Sequence, residues 1–226
     1  MEILREYEEF CGVRVLTYCV MSNHFHVLVE VPKRPAVLPD AEELLQRLRK
    51  LSCTQFLGAF EQAIATYRKL KDVAGEQRLL ERYYRRMWDV SWFLRLVKQR
   101  FSSWYNHRNQ RKGTLWEERF KSVLVDGAGE ALVAMAAYID LNPVRAGMVK
   151  DPKDYRWSGY GEAVAGKKRA RAGLRGVEAN LFTARDLSPG YSDKGRPRRN
   201  RIIAVDLVVA RLTARPSGNG EASSMS

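Results

Sequence analysis

The stretch Met21-Ser22-Asn23-His24-Phe25-His26-Val27-Leu28-Val29-Glu30-Val31 decides the fold. From Phe25 onward the odd positions are Phe25, Val27, Val29 and Val31, all apolar; the even ones are His24, His26, Leu28 and Glu30. Side chains alternate across a β-strand, so the two imidazoles share a face with bases about 7 Å apart, while Phe25 anchors the strand in the core from the other side. Two imidazoles at that spacing can converge on one cation. Taken alone, the pair is equally well a polar strand face. A metal site needs a third ligand and a group for the metal to act on, and the candidates are Tyr138 and Asn142, more than a hundred residues later.

Working outward, Val13–Val20 alternates loosely and Met21-Ser22-Asn23 is only long enough for a tight turn, so an antiparallel hairpin with the quoted strand is expected. Ile3, Leu4, Tyr7 and Phe10 have helical spacing and Gly12 follows as a helix end. Pro32, Pro35 and Pro39 break the chain, and a Leu-, Arg- and Glu-rich helical insert fills residues 33–87, lying either across the domain or out from it as an arm. Asp89 or Ser91 caps a further helix with Val90, Phe93, Leu94, Val97, Phe101 and Trp104 on its apolar face. Arg95, Lys98, Arg100 and Arg108 lie on its other faces; singly each is a solvated charge, and with Arg111 and Lys112 they form a phosphate-contacting stripe. Lys121–Val125 is a strand, and Glu130–Leu141 a helix packing through Leu132, Met135, Ala136 and Ile139, with Pro143 beyond it. Tyr155-Arg156-Trp157-Ser158-Gly159-Tyr160 either stacks bases or closes a core edge. Residues 161–226 carry basic runs at Lys167–Arg171 and Arg196–Arg201; they are read as a basic extension, with Ile202–Leu212 forming one short helix or strand and Pro216–Ser226 disordered.

Lys and Arg number 39 against 26 acids in 226 residues, a net charge of +13. That excess points to a polyanionic partner, nucleic acid first. No apolar run is long enough for a membrane span, and the acidic start lacks a signal-peptide core. Cys11, Cys19 and Cys53 are odd in number and irregularly spaced, which fits buried thiols in a reducing cytoplasm.

Tyr138 and Asn142 are four apart on a helix and point roughly the same way. Asn142 offers a carbonyl oxygen beside two imidazoles, a donor set suited to Mg²⁺ or Mn²⁺ when phosphate and water fill the remaining positions. A free phenol titrates near 10, so roughly one in a thousand is ionised at neutral pH, and a tyrosine nucleophile needs a cation to stabilise the charge that develops. Tyr138 alone is equally a packed helix tyrosine, and Asn142 alone a helix C-terminal residue before proline.

In combination, Ser22-Asn23-His24-Phe25-His26 and its apolar strand resemble the histidine–hydrophobe–histidine motif of the IS200-like single-tyrosine transposases. Leu115-Trp116-Glu117-Glu118-Arg119-Phe120-Lys121-Ser122 resembles the segment leading into a later strand of that family. Tyr138-Ile139-Asp140-Leu141-Asn142-Pro143-Val144-Arg145-Ala146-Gly147-Met148-Val149 is similar to its nucleophile helix and exit, and Tyr155-x-Trp157-Ser158 continues the match. The similarity covers roughly residues 1–32 and 88–160 and is strongest to the REP-associated tyrosine transposases.

The resemblance implies an α+β, ferredoxin-like antiparallel sheet with helices on one face, in a catalytic core spanning 1–160. It implies His24, His26 and Asn142 as metal ligands, Tyr138 as nucleophile, and single-stranded, hairpin-forming DNA as partner of a monomer or homodimer. Cleavage would leave a 5′-phosphotyrosine and a free 3′-hydroxyl. Arg95, Lys98, Arg100, Arg108, Arg111, Lys112, Arg119, Lys121 and Arg145 are the candidate DNA contacts. One departure stands out: the family begins with another strand and a complete helix before the position of Val13, and here the first strand is missing. A start further upstream, decay to a DNA-binding protein without catalysis, or another segment in the vacant place would each account for it. A water-using phosphoesterase with a structural Tyr138 ranks behind both the transposase and the binding protein.

Overall fold

The alternation over residues 13–31 becomes a hairpin of β1 (Arg14–Val20) and β2 (His24–Val31), with Cys19 opposite His26 and Val20 opposite Phe25. The Met21 amide donates to the His24 carbonyl at 2.8 Å and closes the turn. The register slips between Val15 and Thr17, and the buried Glu8 carboxylate takes up the Val15 amide there at 2.7 Å. That bond ties β1 to α1 (Glu2–Cys11), which ends at Gly12 in the left-handed conformation, φ 63°. The computed structural model describes residues 1–51, 54–117, 119–125, 129–185 and 201–208. Expectations for Cys53 and for Pro216–Ser226 fall outside that range.

The remaining elements are α2 (Ala41–Arg49), α3 (Thr54–Leu70), α4 (Val73–Tyr84), α5 (Val90–Arg108), β3 (Lys121–Val125), α6 (Glu130–Asp140), α7 (Asn142–Arg145), α8 (Gly159–Val164), α9 (Lys168–Arg185) and β4 (Arg201–Val208). The fold is α+β on one antiparallel sheet, with strand order β1-β2-β4-β3. Asp89 is the cap of α5, its carboxylate accepting the Trp92 amide at 2.8 Å. Pro143 does not end the helical path but opens α7, where its missing N–H is no loss.

The place that a first strand would hold in a ferredoxin-like sheet, beside β2, is taken by β4. It is antiparallel to both neighbours, with Val205 opposite Val27 on one side and Ser122 on the other. The sheet therefore lacks no central strand, and the expected division at residue 160 needs correction. Beyond it, β4 is the middle of the sheet and α9 packs on β1. Gly173 of α9 lies so close to β1 that a Cβ there would come within 2.3 Å of the Leu16 carbonyl. A short apolar segment reaches the centre because burial on both faces and two ladders reward it more than its basic flanks oppose it.

Alternation divides the core between two faces. Val15, Tyr18, Val27, Val29 and Val205 pack with α1, α5 and the insert, whose Leu44, Leu48, Phe60, Leu79 and Tyr83 are buried in the same cluster. The insert thus lies against the domain and is no free arm. Leu16, Cys19, Leu28 and Ile202 pack on the opposite face with Leu132, Ala136 and Ile139 of α6 and Val177 of α9. Helices cover the α1/α5 face, and α6 and α9 add a second layer behind the sheet. Cys11 and Cys19 are free and buried, and burial pushes the Cys19 thiol up to about 12.

Asp140 fixes α6 to the sheet by accepting a 2.6 Å hydrogen bond from the Thr17 hydroxyl. Burial raises its carboxyl to about 6, against the lowering effect of the hydrogen bonds from Thr17 and the Tyr160 amide. Because the folded value lies above the unfolded one, its contribution to stability is fully present below about pH 4 and is lost as pH rises through about 6. The metal-free protein should lose on the order of 3 kcal/mol from this group across that window. Melting curves of Asp140→Asn beside wild type, taken at pH 4.5 and 7.5 (roughly the two ends of the window), should show a smaller pH dependence in the variant.

Candidate functional site

The strand geometry places His24 and His26 on the sheet face that carries α6. Their rings meet edge to face with centroids 4.9 Å apart. His26 is buried, and its imidazole titrates below the ordinary value: burial lowers it most, the Asp206 carboxylate pulls upward, and His24 lowers it further. A neutral imidazole keeps a lone pair for a cation.

Tyr138 stands on α6 with its ring 6.0 Å from the His26 ring, again edge to face. It is 45 % exposed, so the phenol faces outward instead of into the core. The helix turns it that way because Leu132, Ala136 and Ile139 take the buried stripe. The Arg145 guanidinium lies 4.8 Å from the centre of the Tyr138 ring, within cation–π range. Ring contacts therefore join His24, His26 and Tyr138, and Arg145 extends the group.

Asn142 follows one turn later at the start of α7. Its amide nitrogen donates to the Tyr138 carbonyl at 2.9 Å and the Ile139 carbonyl at 3.4 Å. The NH₂ end is thereby engaged with the α6 backbone. Among the described residues no three His, Cys, Asp or Glu side chains form a ready-made metal cage. Ring contacts bring His24, His26 and Tyr138 together, whereas the Asn142 side chain is engaged with the backbone of the helix before it and makes no such contact with the imidazoles.

One residue at this site escaped the sequence reading. Asp206 of β4 sits directly opposite His26, with its Oδ1 3.5 Å from the His26 Nδ1. The signal was a single acid inside Ile202-Ile203-Ala204-Val205-Asp206-Leu207-Val208, but nothing local says which strand it faces.

The candidate DNA contacts divide into two groups. Lys121 is opposite Asp206 on β3, and Arg145 touches Tyr138, so both belong to the histidine face. The stripe on α5 lies on the other layer, interleaved with aromatic rings: Arg95 with Trp92, Lys98 with Trp116, Arg108 with Trp104 and Arg111 with Tyr105, at 4.8–6.0 Å. Trp116 connects this layer to the site by packing on Phe25, 5.9 Å between ring centres. Arg100 is partly buried on α5, while Lys112 and Arg119 are exposed in the segment leading to β3. In the Tyr155–Tyr160 stretch, Tyr155 is buried and donates to the Val20 carbonyl, and Ser158 caps α8. That half closes a core edge. Trp157 and Tyr160 are the exposed half, with Arg156 stacked 4.3 Å from the Trp157 ring centre. No helix among the described residues is long and apolar enough to cross a membrane.

No family model matches the chain, and neither a curated protein nor a solved structure does so.

Proposed function

We propose that the chain is a metal-dependent nuclease and strand transferase acting on single-stranded, hairpin-forming DNA, of the IS200-like single-tyrosine kind and nearest its REP-associated branch. The observation that carries this reading is the half-exposed Tyr138 phenol edge-on to the His24–His26 pair. Residues from β2 and α6, remote in sequence, meet there in the order the chemistry needs.

In this reading the Tyr138 oxygen attacks a backbone phosphorus in line. A phosphorus–oxygen bond to the tyrosine forms, and the bond to the 3′ oxygen breaks. The phenol proton passes to solvent, the departing oxygen takes one up as a 3′-hydroxyl, and the phosphodiester energy is kept in the 5′-phosphotyrosine for rejoining. His24, His26 and the Asn142 oxygen are the residues that would hold Mg²⁺ or Mn²⁺, which when bound would supply charge stabilisation for phosphoryl transfer. Arg145 and Lys121 hold phosphate on the histidine face, and the aromatic–basic layer on α5 takes flanking nucleotides by stacking and charge. The protein works in the cytoplasm as a monomer or homodimer.

Incubation with hairpin-bearing single-stranded DNA and Mn²⁺, followed by denaturing electrophoresis, should yield a protein–DNA adduct that survives denaturation. Binding without any adduct would favour the non-catalytic DNA-binding protein. Hydrolysis with no adduct at any time would favour a water nucleophile.

A further inference from the structure

Both imidazoles of the site are approached at the same ring atom. His24 Nδ1 lies 2.7 Å from the Asn23 side-chain oxygen, and His26 Nδ1 lies 3.5 Å from Asp206 Oδ1. An oxygen at Nδ1 favours the tautomer with its proton there and leaves Nε2 as the lone pair.

For His26 the oxygen is supplied by the strand that fills the centre of the sheet. Asp206 and His26 are directly opposed across the β2–β4 ladder, so both project from the same face. Asp206 Oδ1 is shut off from water and accepts no hydrogen bond. The side chain as a whole is 45 % exposed, so it is this one oxygen, on the His26 side, that lacks a partner. A small rotation of the imidazole would bring its Nδ1, now 3.5 Å away, within hydrogen-bond distance of that oxygen. Lys121 stands opposite Asp206 on the other neighbouring strand.

We infer that Asp206 is a positioning residue: it takes the Nδ1 proton of His26 in a hydrogen bond, fixes the ring, and presents Nε2 to a divalent cation. The use of that nitrogen rests on the metal site proposed above; the tautomer does not. The inference gives β4 a role in the chemistry as well as in the sheet. Outer carboxylates of this kind typically change metal affinity 10–100-fold when removed.

The test uses the full chain, metal-free, with ¹⁵N-labelled histidine, and long-range ¹H–¹⁵N spectra above the imidazole titration range. With three histidines in the sequence the spectrum is readily assigned. Wild type should show His26 protonated at Nδ1. Asp206→Ala should shift it toward Nε2–H and lower Mn²⁺ affinity, measured by electron paramagnetic resonance, about 10–100-fold. Asp206→Asn, which keeps an acceptor oxygen in place, should retain the tautomer and lose less affinity than the alanine variant. Nε2–H in the wild-type protein overturns the inference without any variant. So does a folded Asp206→Ala whose tautomer and Mn²⁺ affinity match wild type. A retained Nδ1–H tautomer in a protein that forms no DNA adduct would leave the positioning role standing and sink the nuclease reading alone.

Discussion

Tyr138→Phe should bind hairpin DNA like wild type and form no covalent adduct. The substitution deletes one oxygen at a position 45 % exposed to solvent, so stability should change by no more than about 0.5 kcal/mol. The ring stays, and with it the contacts to His26 and Arg145. What disappears is the only atom of the side chain able to bond phosphorus. Loss of a nucleophile, with the rest of a site intact, lowers turnover on the order of 10³-fold or more. The measurements are denaturing electrophoresis for the adduct and fluorescence anisotropy for binding, both with Mn²⁺. An adduct of wild-type yield in Tyr138→Phe would assign the nucleophile elsewhere; Tyr160, also exposed, would be the next residue to change. Weakened binding in step with lost cleavage would mean that the hydroxyl serves recognition.

The parts of this arrangement legible in the sequence are those set by local periodicity. His24, His26 and the hairpin follow from alternation, because a period of two fixes which side chains share a face. The outward Tyr138 follows from the helical spacing of Leu132, Ala136 and Ile139. The approach of Tyr138 to His26 does not follow from either pattern. It came from a resemblance between motifs, and the geometry now gives it a distance.

What was not legible is non-local. Residues 202–208 carry a short apolar run that periodicity alone cannot assign to helix or strand, and its partners lie roughly 80 and 180 residues earlier. The basic stretches around it carry the pattern of a solvated extension, which is why composition alone divides the chain at 160. Asp206 was lost with the strand, since a carboxylate has meaning at this site only when its register against His26 is known. The insert is similar: Leu44, Leu45, Leu48 and Leu51 announce a helix with an apolar stripe, but not that α1 and α5 supply the surface it covers.

Val205→Pro should be among the most damaging single changes in the chain. Val205 is 2 % exposed and lies between Val27 and Ser122 in the middle of the sheet. Proline there removes an N–H from a doubly paired strand, forces its ring into the ladder and alters a packed side chain; an unmade buried hydrogen bond (about 1–3 kcal/mol) and the lost packing together make a cost of several kcal/mol the expectation. Against a typical total of about 5–15 kcal/mol, and with each kcal/mol worth about 2–4 °C in a domain of this size, the melting temperature should fall by about 10 °C or more. Val123→Thr is the control, because Val123 is 61 % exposed on the edge strand β3, and it should melt within a degree or two (about 0.5 kcal/mol) of wild type. The two accounts of residues 161–226 part here. In a solvated basic extension a proline would be silent, whereas in a central strand it releases β2 from β3 and carries Asp206 away from His26. Val205→Pro should therefore also weaken Mn²⁺ binding, by at least as much as Asp206→Ala does. A variant that melts and binds Mn²⁺ like wild type would remove β4 from the sheet and, with it, the reason for placing a carboxylate beside the histidines.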